Sequence, residues 1–281
     1  MSDFPTRVGV LGGGTMGVGI AHAFLLAGSH VIIVDPSPTA VHTAGTRLDQ
    51  TLLASVERGR LDNAEPCMQR TTLSTDLADL TDRDLVVEAI PEDLSLKQEV
   101  LRDVETRISA QCRLASNTSA LSIADLAASL QHPERFLGLH FFNPVPASAL
   151  VEVVVGPRTE AHLVEVARGW VDRLGKSAVV VQDSPGFASS RLGVHLALEA
   201  MRMVQEGVAS VEDVDRAMEL GYKHPVGPLR TTDIVGLDVR LGIAEHLHAT
   251  LGDRFTPPQI LRDKVARGEL GKKSGKGFYD W

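Results

Sequence analysis

The chain has 281 residues, 43% hydrophobic and 23% charged, with 28 basic against 36 acidic side chains and a formal charge of −8. That length accommodates two domains or one large one with a substantial core, and the acidic balance argues against nucleic acid or an anionic membrane surface as a general partner. Cys67 and Cys112 lie apart without CxxC spacing, which argues against a disulfide or a metal site and suits a reducing compartment. The opening MSDFPTRVGV enters its first strand too early for a signal peptide, and no apolar run is long enough to span a bilayer, so a cytoplasmic protein is expected.

The first elements are the most informative. A short apolar run, Val8 to Leu11, breaks at Gly12, and the glycines at 12, 14 and 17 form G-x-G-x-x-G where a helical pattern begins. Ile20, Ala21, Phe24 and Ala27 continue that pattern as far as Gly28; Val31 to Val34 then make a second strand that ends on Asp35. Each residue type has a task in a dinucleotide site. Gly12 allows the sharp turn, Gly14 lets a pyrophosphate approach the backbone, and Gly17 lets the helix pack on its strand. The helix N-terminus, with Thr15 and Met16 in its first turn, offers unpaired N–H groups and partial positive charge to the phosphates. Asp35 can accept hydrogen bonds from an adenosine ribose and would repel a 2′-phosphate. With no arginine between Pro36 and Ala40, NAD is expected rather than NADP. A glycine turn alone could belong to any α/β protein; the flanking strands and the acid make it a dinucleotide motif.

From Pro36 to Gln69 the insertion is too long for an ordinary crossover. Val41, Ala44, Leu48, Leu52 and Val56 keep a helical period as far as Gly59, and a second short helix is expected over Ala64 to Arg70. This hairpin serves either as cover for the sheet or as a ligand-binding element. Leu85 to Ile90 is an apolar strand interrupted by Glu88, followed by a turn at Pro91-Glu92-Asp93 and a helix from Ser95 to Ile108. Arg113 to Ser116 is a strand that runs into Asn117-Thr118-Ser119. One of these small polar residues can cap the helix near Ile123, which leaves the others to be explained. Strands are expected at Phe136 to Phe142, Val151 to Val155 and Ala178 to Val181, with a helix over Glu160 to Leu174.

The alternation then stops. Ser184-Pro185-Gly186-Phe187 opens a long helix to about Glu206, Ser210 caps the next, and the remainder reads as helix or loop. The expected organisation is a Rossmann-type α/β domain over residues 1–183 and an all-helical domain over 184–281. The long helix is apolar on more than one face, consistent with a dimer contact or with a wrapped core. His140 and Glu152 are each the lone ionisable residue of a buried apolar strand. If the strands are adjacent, the two can form a pair that is structural or that exchanges a proton near neutral pH.

The phrases GLHFFNPVPASALVEVV, LASNTSAL, VVEAIPED, DSPGF, HPVGPL, DIVGLD and GKKSGKGFY resemble those of the L-3-hydroxyacyl-CoA dehydrogenase family, in the family's order and over essentially the whole chain. The resemblance implies NAD-dependent oxidation of an (S)-3-hydroxyacyl-CoA to the 3-oxoacyl-CoA, or the reverse, by a homodimer joined through the helical domain. It makes His140 the catalytic base, Glu152 the acid that orients it, and Ser119 a serine beside the substrate oxygen and the nicotinamide. Glu92, Lys97 and Asn143 match positions on the nicotinamide side, and Lys273 matches a lysine that reaches the cofactor. Thr51 and Arg58 fall where the family has a serine and a lysine touching coenzyme A. The family's SPGF-x-x-Asn-Arg is here Ser184-Pro185-Gly186-Phe187-Ala188-Ser189-Ser190-Arg191, so Ser190 replaces an asparagine expected at the reacting oxygen. A bridging water, a different substrate or a slow enzyme would each accommodate that change. The alternatives are a dehydrogenase for a free hydroxy acid or polyol, as in gulonate dehydrogenase relatives, and a non-catalytic NAD-binding protein.

Overall fold

The computed structural model describes residues 4–281, and the chain divides into two compact units, Met1–Ser184 and Pro185–Trp281. In the first unit, β1 (Arg7–Leu11), β2 (His30–Val34), β3 (Thr71–Ser74), β4 (Leu85–Glu88), β5 (Arg113–Ser116), β6 (Phe136–Phe141), β7 (Leu150–Val155) and β8 (Ser177–Gln182) form one sheet. Its order is β3-β2-β1-β4-β5-β6-β7-β8. The first six strands are parallel, whereas β7 runs antiparallel to β6 and β8 parallel to β7. The chain leaves β1 toward β2 on one side and returns to β4 on the other. That reversal opens a crevice at the carboxyl ends of the strands.

Burial explains the composition of these elements. β4 and β6 are buried along their whole length, as expected of strands covered on both faces, which read as continuous apolar runs. Helix α1 (Thr15–Leu26) is buried from Gly17 to Leu25 because it lies between the sheet and α2 (Pro38–Glu57). Helix α2 starts with Ser37, whose side chain accepts from the Ala40 amide, and buries the stripe Ala44, Leu48 and Leu52. The second arm of the insert, α3 (Glu65–Gln69), has only five residues. The chain then enters β3, a strand that no apolar alternation in the sequence announces. Thr71–Ser74 is an edge strand whose two central residues are exposed; backbone pairing with β2 rather than an apolar pattern makes it a strand. Helices α4 (Leu94–Arg107), α5 (Ile123–Ala127) and α6 (Ala161–Arg173) complete the unit. Helix α5 is capped by Ser122, which accepts from the Asp125 amide, so Asn117, Thr118 and Ser119 are not its cap.

The second unit contains α7 (Ser189–Gln205), α8 (Val211–Tyr222), α9 (Pro228–Val235), α10 (Leu237–Leu251) and α11 (Gln259–Ala266). Ser210 caps α8 by accepting from the Asp213 amide. Val194, Leu198, Met201, Leu229, Leu237, Leu247 and Phe255 form its core. Two buried aspartates organise the loops: Asp215 accepts from Leu229 N, Arg230 N and the Tyr279 hydroxyl, and Asp233 accepts from Phe278 N, Tyr279 N and Trp281 Nε1. Hydrogen bonds to a buried charge are among the stronger ones, so the final residues are tied down. Helix α7 buries Val194, Ala197, Leu198, Ala200 and Met201, which accounts for one apolar face; Leu192 on another face is 70% exposed. Among the described residues no helix is long and apolar enough to cross a membrane.

Candidate active site

The turn after β1 holds its shape for steric reasons. Gly12 has φ +102°, and a Cβ on Gly17 would stand 1.9 Å from the Gly12 carbonyl oxygen, so any side chain at 17 would separate helix from strand. A Cβ on Gly14 would meet nothing within 4 Å; glycine there keeps the approach to the helix N-terminus open rather than relieving a clash. Asp35 is engaged within the protein, its Oδ2 accepting from Gly13 N at 2.9 Å and its Oδ1 from Ser37 N at 3.0 Å. Its carboxylate thus fixes the glycine turn and α2 as well as lining a cavity of about 620 Å³ with Gly12, Gly14, Thr15, Met16 and Thr43. Arg47 lines the same cavity. It lies beyond Pro36 to Ala40 in sequence, but helical spacing places Thr39, Thr43 and Arg47 above one another on one face of α2.

A second cavity, of about 320 Å³, shares Met16, Ala89 and Ile90 with the first and is lined further by Glu92, Lys97, Asn117, Ser119, His140 and Asn143. The antiparallel pairing of β6 and β7 sets His140 directly opposite Glu152, with Nδ1 2.8 Å from Glu152 Oε2. His140 is 5% exposed and Glu152 fully buried. A carboxylate at Nδ1 fixes the tautomer and supports the imidazolium, as in other oriented histidines. The Phe142 ring packs against the imidazole at 4.4 Å between centroids.

Around this pair runs a polar chain whose inner members the sequence did not reveal. Glu88, fully buried at the end of β4, accepts from Ile90 N, Ser116 Oγ and Lys97 Nζ. Lys97, 1% exposed, also donates to the Ile90 carbonyl and lies 3.2 Å from Glu92 Oε2. Glu92 Oε1 accepts from Thr118 Oγ1 at 2.6 Å, Ser119 N at 2.9 Å and Ala120 N at 3.1 Å. Burial pushes the Glu92 carboxyl upward, but the Thr118 hydroxyl, the Lys97 charge and the Ser119 amide outweigh it and hold it below the ordinary glutamate value. Asn117 Oδ1 accepts from Phe141 N at 2.8 Å, tying the end of β5 to the end of β6. The small polar run therefore positions the cavity wall. The one available signal was Glu88, a single charge in an otherwise apolar strand.

Other matched residues lie elsewhere. Thr51 is half-buried on α2 and donates from Oγ1 to the Arg47 carbonyl at 2.7 Å, and Arg58 is exposed at the end of that helix; the structure does not bring either into the two cavities. In the helical unit, Ser190 is half-buried in the first turn of α7, and Lys273 pairs with Asp238 at 2.6 Å.

A glycine turn that opens onto adjoining cavities, with a histidine held by a buried carboxylate in the wall of the second, is the arrangement of an NAD-dependent oxidoreductase. Residues 7–184 match the family described as "3-hydroxyacyl-CoA dehydrogenase, NAD binding domain", and residues 186–281 match its C-terminal domain. The chain belongs to the 3-hydroxyacyl-CoA dehydrogenase family. It is 41% identical to a 3-hydroxybutyryl-CoA dehydrogenase of Mycobacterium tuberculosis over the full length of both. Among solved structures it resembles the (S)-3-hydroxybutyryl-CoA dehydrogenase of Ralstonia eutropha, with 37% identity, 99% of each chain covered and a TM-score of 0.94. It also resembles an NAD+-dependent 5-formyl-3-hydroxy-2-methylpyridine 4-carboxylic acid 5-dehydrogenase, with 30% identity, 98% and 91% of the chains covered and a TM-score of 0.77.

Proposed function

We propose that the protein oxidises (S)-3-hydroxybutyryl-CoA, or a close short-chain relative, to the 3-oxoacyl-CoA with NAD, or runs the reverse reaction. The observation that carries this reading is the 2.8 Å contact of His140 Nδ1 with Glu152 in the cavity adjoining the dinucleotide turn. NAD, held at the glycine turn, would supply the hydride acceptor for C3. His140, its Nδ1 committed to Glu152, takes the 3-hydroxyl proton at Nε2, and the buried carboxylate stabilises the imidazolium that results. Ser119, whose amide and hydroxyl donate to Glu92 at 2.9 Å and 3.4 Å, turns its hydroxyl from that long contact to the developing charge on the substrate oxygen. Glu92, Lys97 and Asn143 line the nicotinamide end, while Thr51 and Arg58 meet coenzyme A. Ser190 and Lys273 take the family's positions at the reacting oxygen and the cofactor. The helical unit serves substrate binding and a homodimer contact; exposed Leu192, Leu220 and Tyr222 on that unit support the latter. Free, buried Cys67 and Cys112 suit the cytoplasm.

Ser190 gives a second reading its one support, a dehydrogenase for a hydroxy acid without coenzyme A. Following NADH absorbance with acetoacetyl-CoA and separately with free acetoacetate tests both. Turnover of the thioester alone is expected; turnover of only the free acid would transfer the function to the second reading, and turnover of neither with intact NADH binding would leave a non-catalytic relative.

Asp35 supplies a cofactor test. Asp35→Ala is expected to relax the preference for NAD, since it removes the charge that repels a 2′-phosphate and leaves Arg47 in the same cavity to receive one. Equal turnover of NADH and NADPH by the unmodified protein would remove this role from Asp35.

A further inference from the structure

A third polar cavity, of about 310 Å³, lies in the first unit between α1, the residues after α2, the loop from β6 to β7 and the segment that leads into β8. His22 on α1 forms its inner wall and is 2% exposed. Its Nε2 is 2.8 Å from Ser55 Oγ, and Ser55 Oγ donates to the Thr51 carbonyl at 3.0 Å. A serine hydroxyl has one proton. With that proton on the Thr51 carbonyl, His22 Nε2 carries the ring proton and Nδ1 is an acceptor; with it on His22 Nε2, Nδ1 carries the ring proton and is a donor. Nδ1 is buried and has no hydrogen-bond partner, a costly state for a polar atom unless a ligand or water completes it.

Two cations stand at the same cavity. Arg60 Nη1 donates to the Pro146 carbonyl at 2.6 Å, and Lys176 Nζ donates to the Val145 and Ser148 carbonyls at 2.7 Å and 2.5 Å. Both are therefore held by neutral oxygens, and no residue lining the cavity is acidic. Burial first, then Lys176 and Arg60, push His22 down to about 4, so it is neutral at pH 7. Burial and Arg60 also lower the Lys176 ammonium. Arg60 is exposed and Lys176 half-buried, so water screens their mutual repulsion in part, and an anion seated between them is attracted by both.

The cavity offers two cations, Arg60 and Lys176, and one unpartnered ring nitrogen, His22 Nδ1. A carboxylate has only two oxygens for these three groups. A phosphate monoester, with its second pKa near 6, has three terminal oxygens and up to two negative charges. We propose that this cavity binds a phosphate monoester, whose anionic oxygens meet Arg60 and Lys176 and whose third oxygen hydrogen-bonds His22 Nδ1. Coenzyme A carries such a group as its 3′-phosphate, and Ser55 lies one turn beyond Thr51 on α2. That source rests on the acyl-CoA reading; a free phosphate does not.

The test compares reduction of acetoacetyl-CoA and of acetoacetyl-dephospho-CoA by wild type, Arg60→Met, Lys176→Arg and the double variant Arg60→Met/Lys176→Met, with NADH binding as the check on folding. In wild type KM is expected to be lower for the phosphorylated substrate by about tenfold or more, with kcat equal. The discrimination should be reduced by Arg60→Met, lost in the double variant and largely kept by Lys176→Arg, which retains the charge if the double variant does not fold. A wild-type ratio of one, with inorganic phosphate raising Tm in wild type but not in Arg60→Met, would support the cavity with free phosphate as its occupant. A ratio of one without any phosphate-dependent rise in Tm would overturn the proposal, and so would a preference that the substitutions leave untouched. If neither thioester is reduced, the acyl-CoA reading fails and the Tm comparison alone decides the cavity.

Discussion

Replacing His140 by alanine should lower kcat by about 10²–10⁴-fold, the usual cost of losing a positioned general base, while NADH binding survives. The first cavity is built from the segments that follow β1, β2 and β4 and from α1 and α2, whereas His140 lies on β6 and does not line it, so the substitution leaves the cofactor's anchoring intact. Glu152→Gln should also cost rate. It keeps the shape of a fully buried side chain but removes the charge that supports the imidazolium. Because Glu152 acts through His140, a double variant should lose far less than the product of the two single losses. Steady-state kinetics on the four proteins, with NADH binding measured by fluorescence, gives the coupling directly. Fully multiplicative losses would mean that the two residues act independently and that their 2.8 Å contact is structural.

Placing at position 190 the asparagine that the family resemblance implies should have the next largest effect, and in the favourable direction. Asparagine offers two N–H donors and a carbonyl, whereas serine has one shorter hydroxyl. If the position faces the reacting oxygen, Ser190→Asn should raise kcat on 3-hydroxybutyryl-CoA, by up to the roughly 10²-fold associated with one oxyanion donor. If the space instead accommodates a polar group of another substrate, the same change should depress activity on that substrate while sparing or improving the simple acyl-CoA. A panel of hydroxyacyl-CoA and hydroxy-acid substrates distinguishes these. Unchanged kinetics throughout would show that position 190 does not face the reacting oxygen.

Much of the fold could be read locally. The glycine turn, the apolar strands and the helix cap at Ser210 depend on neighbours in sequence, through steric limits on φ, periodicity and the partners of the first helical amides. The arrival of His140 and Glu152 in two buried strands was legible because an isolated charge in an apolar run demands a partner. Their antiparallel register, which turns proximity into a hydrogen bond, is a property of the sheet. Strand β3 escaped because backbone pairing at a sheet edge requires no apolar pattern. Likewise, Lys97 buried between Glu88 and Glu92, Arg47 beside Asp35, and His22 with Arg60 and Lys176 all join residues from separate elements. Which side chains can carry charge, bend the backbone or face a core follows from residue type and local pattern. Which of them share a cavity follows from packing across elements, because electrostatic and hydrogen-bond energies depend on distance and burial, not on separation along the chain.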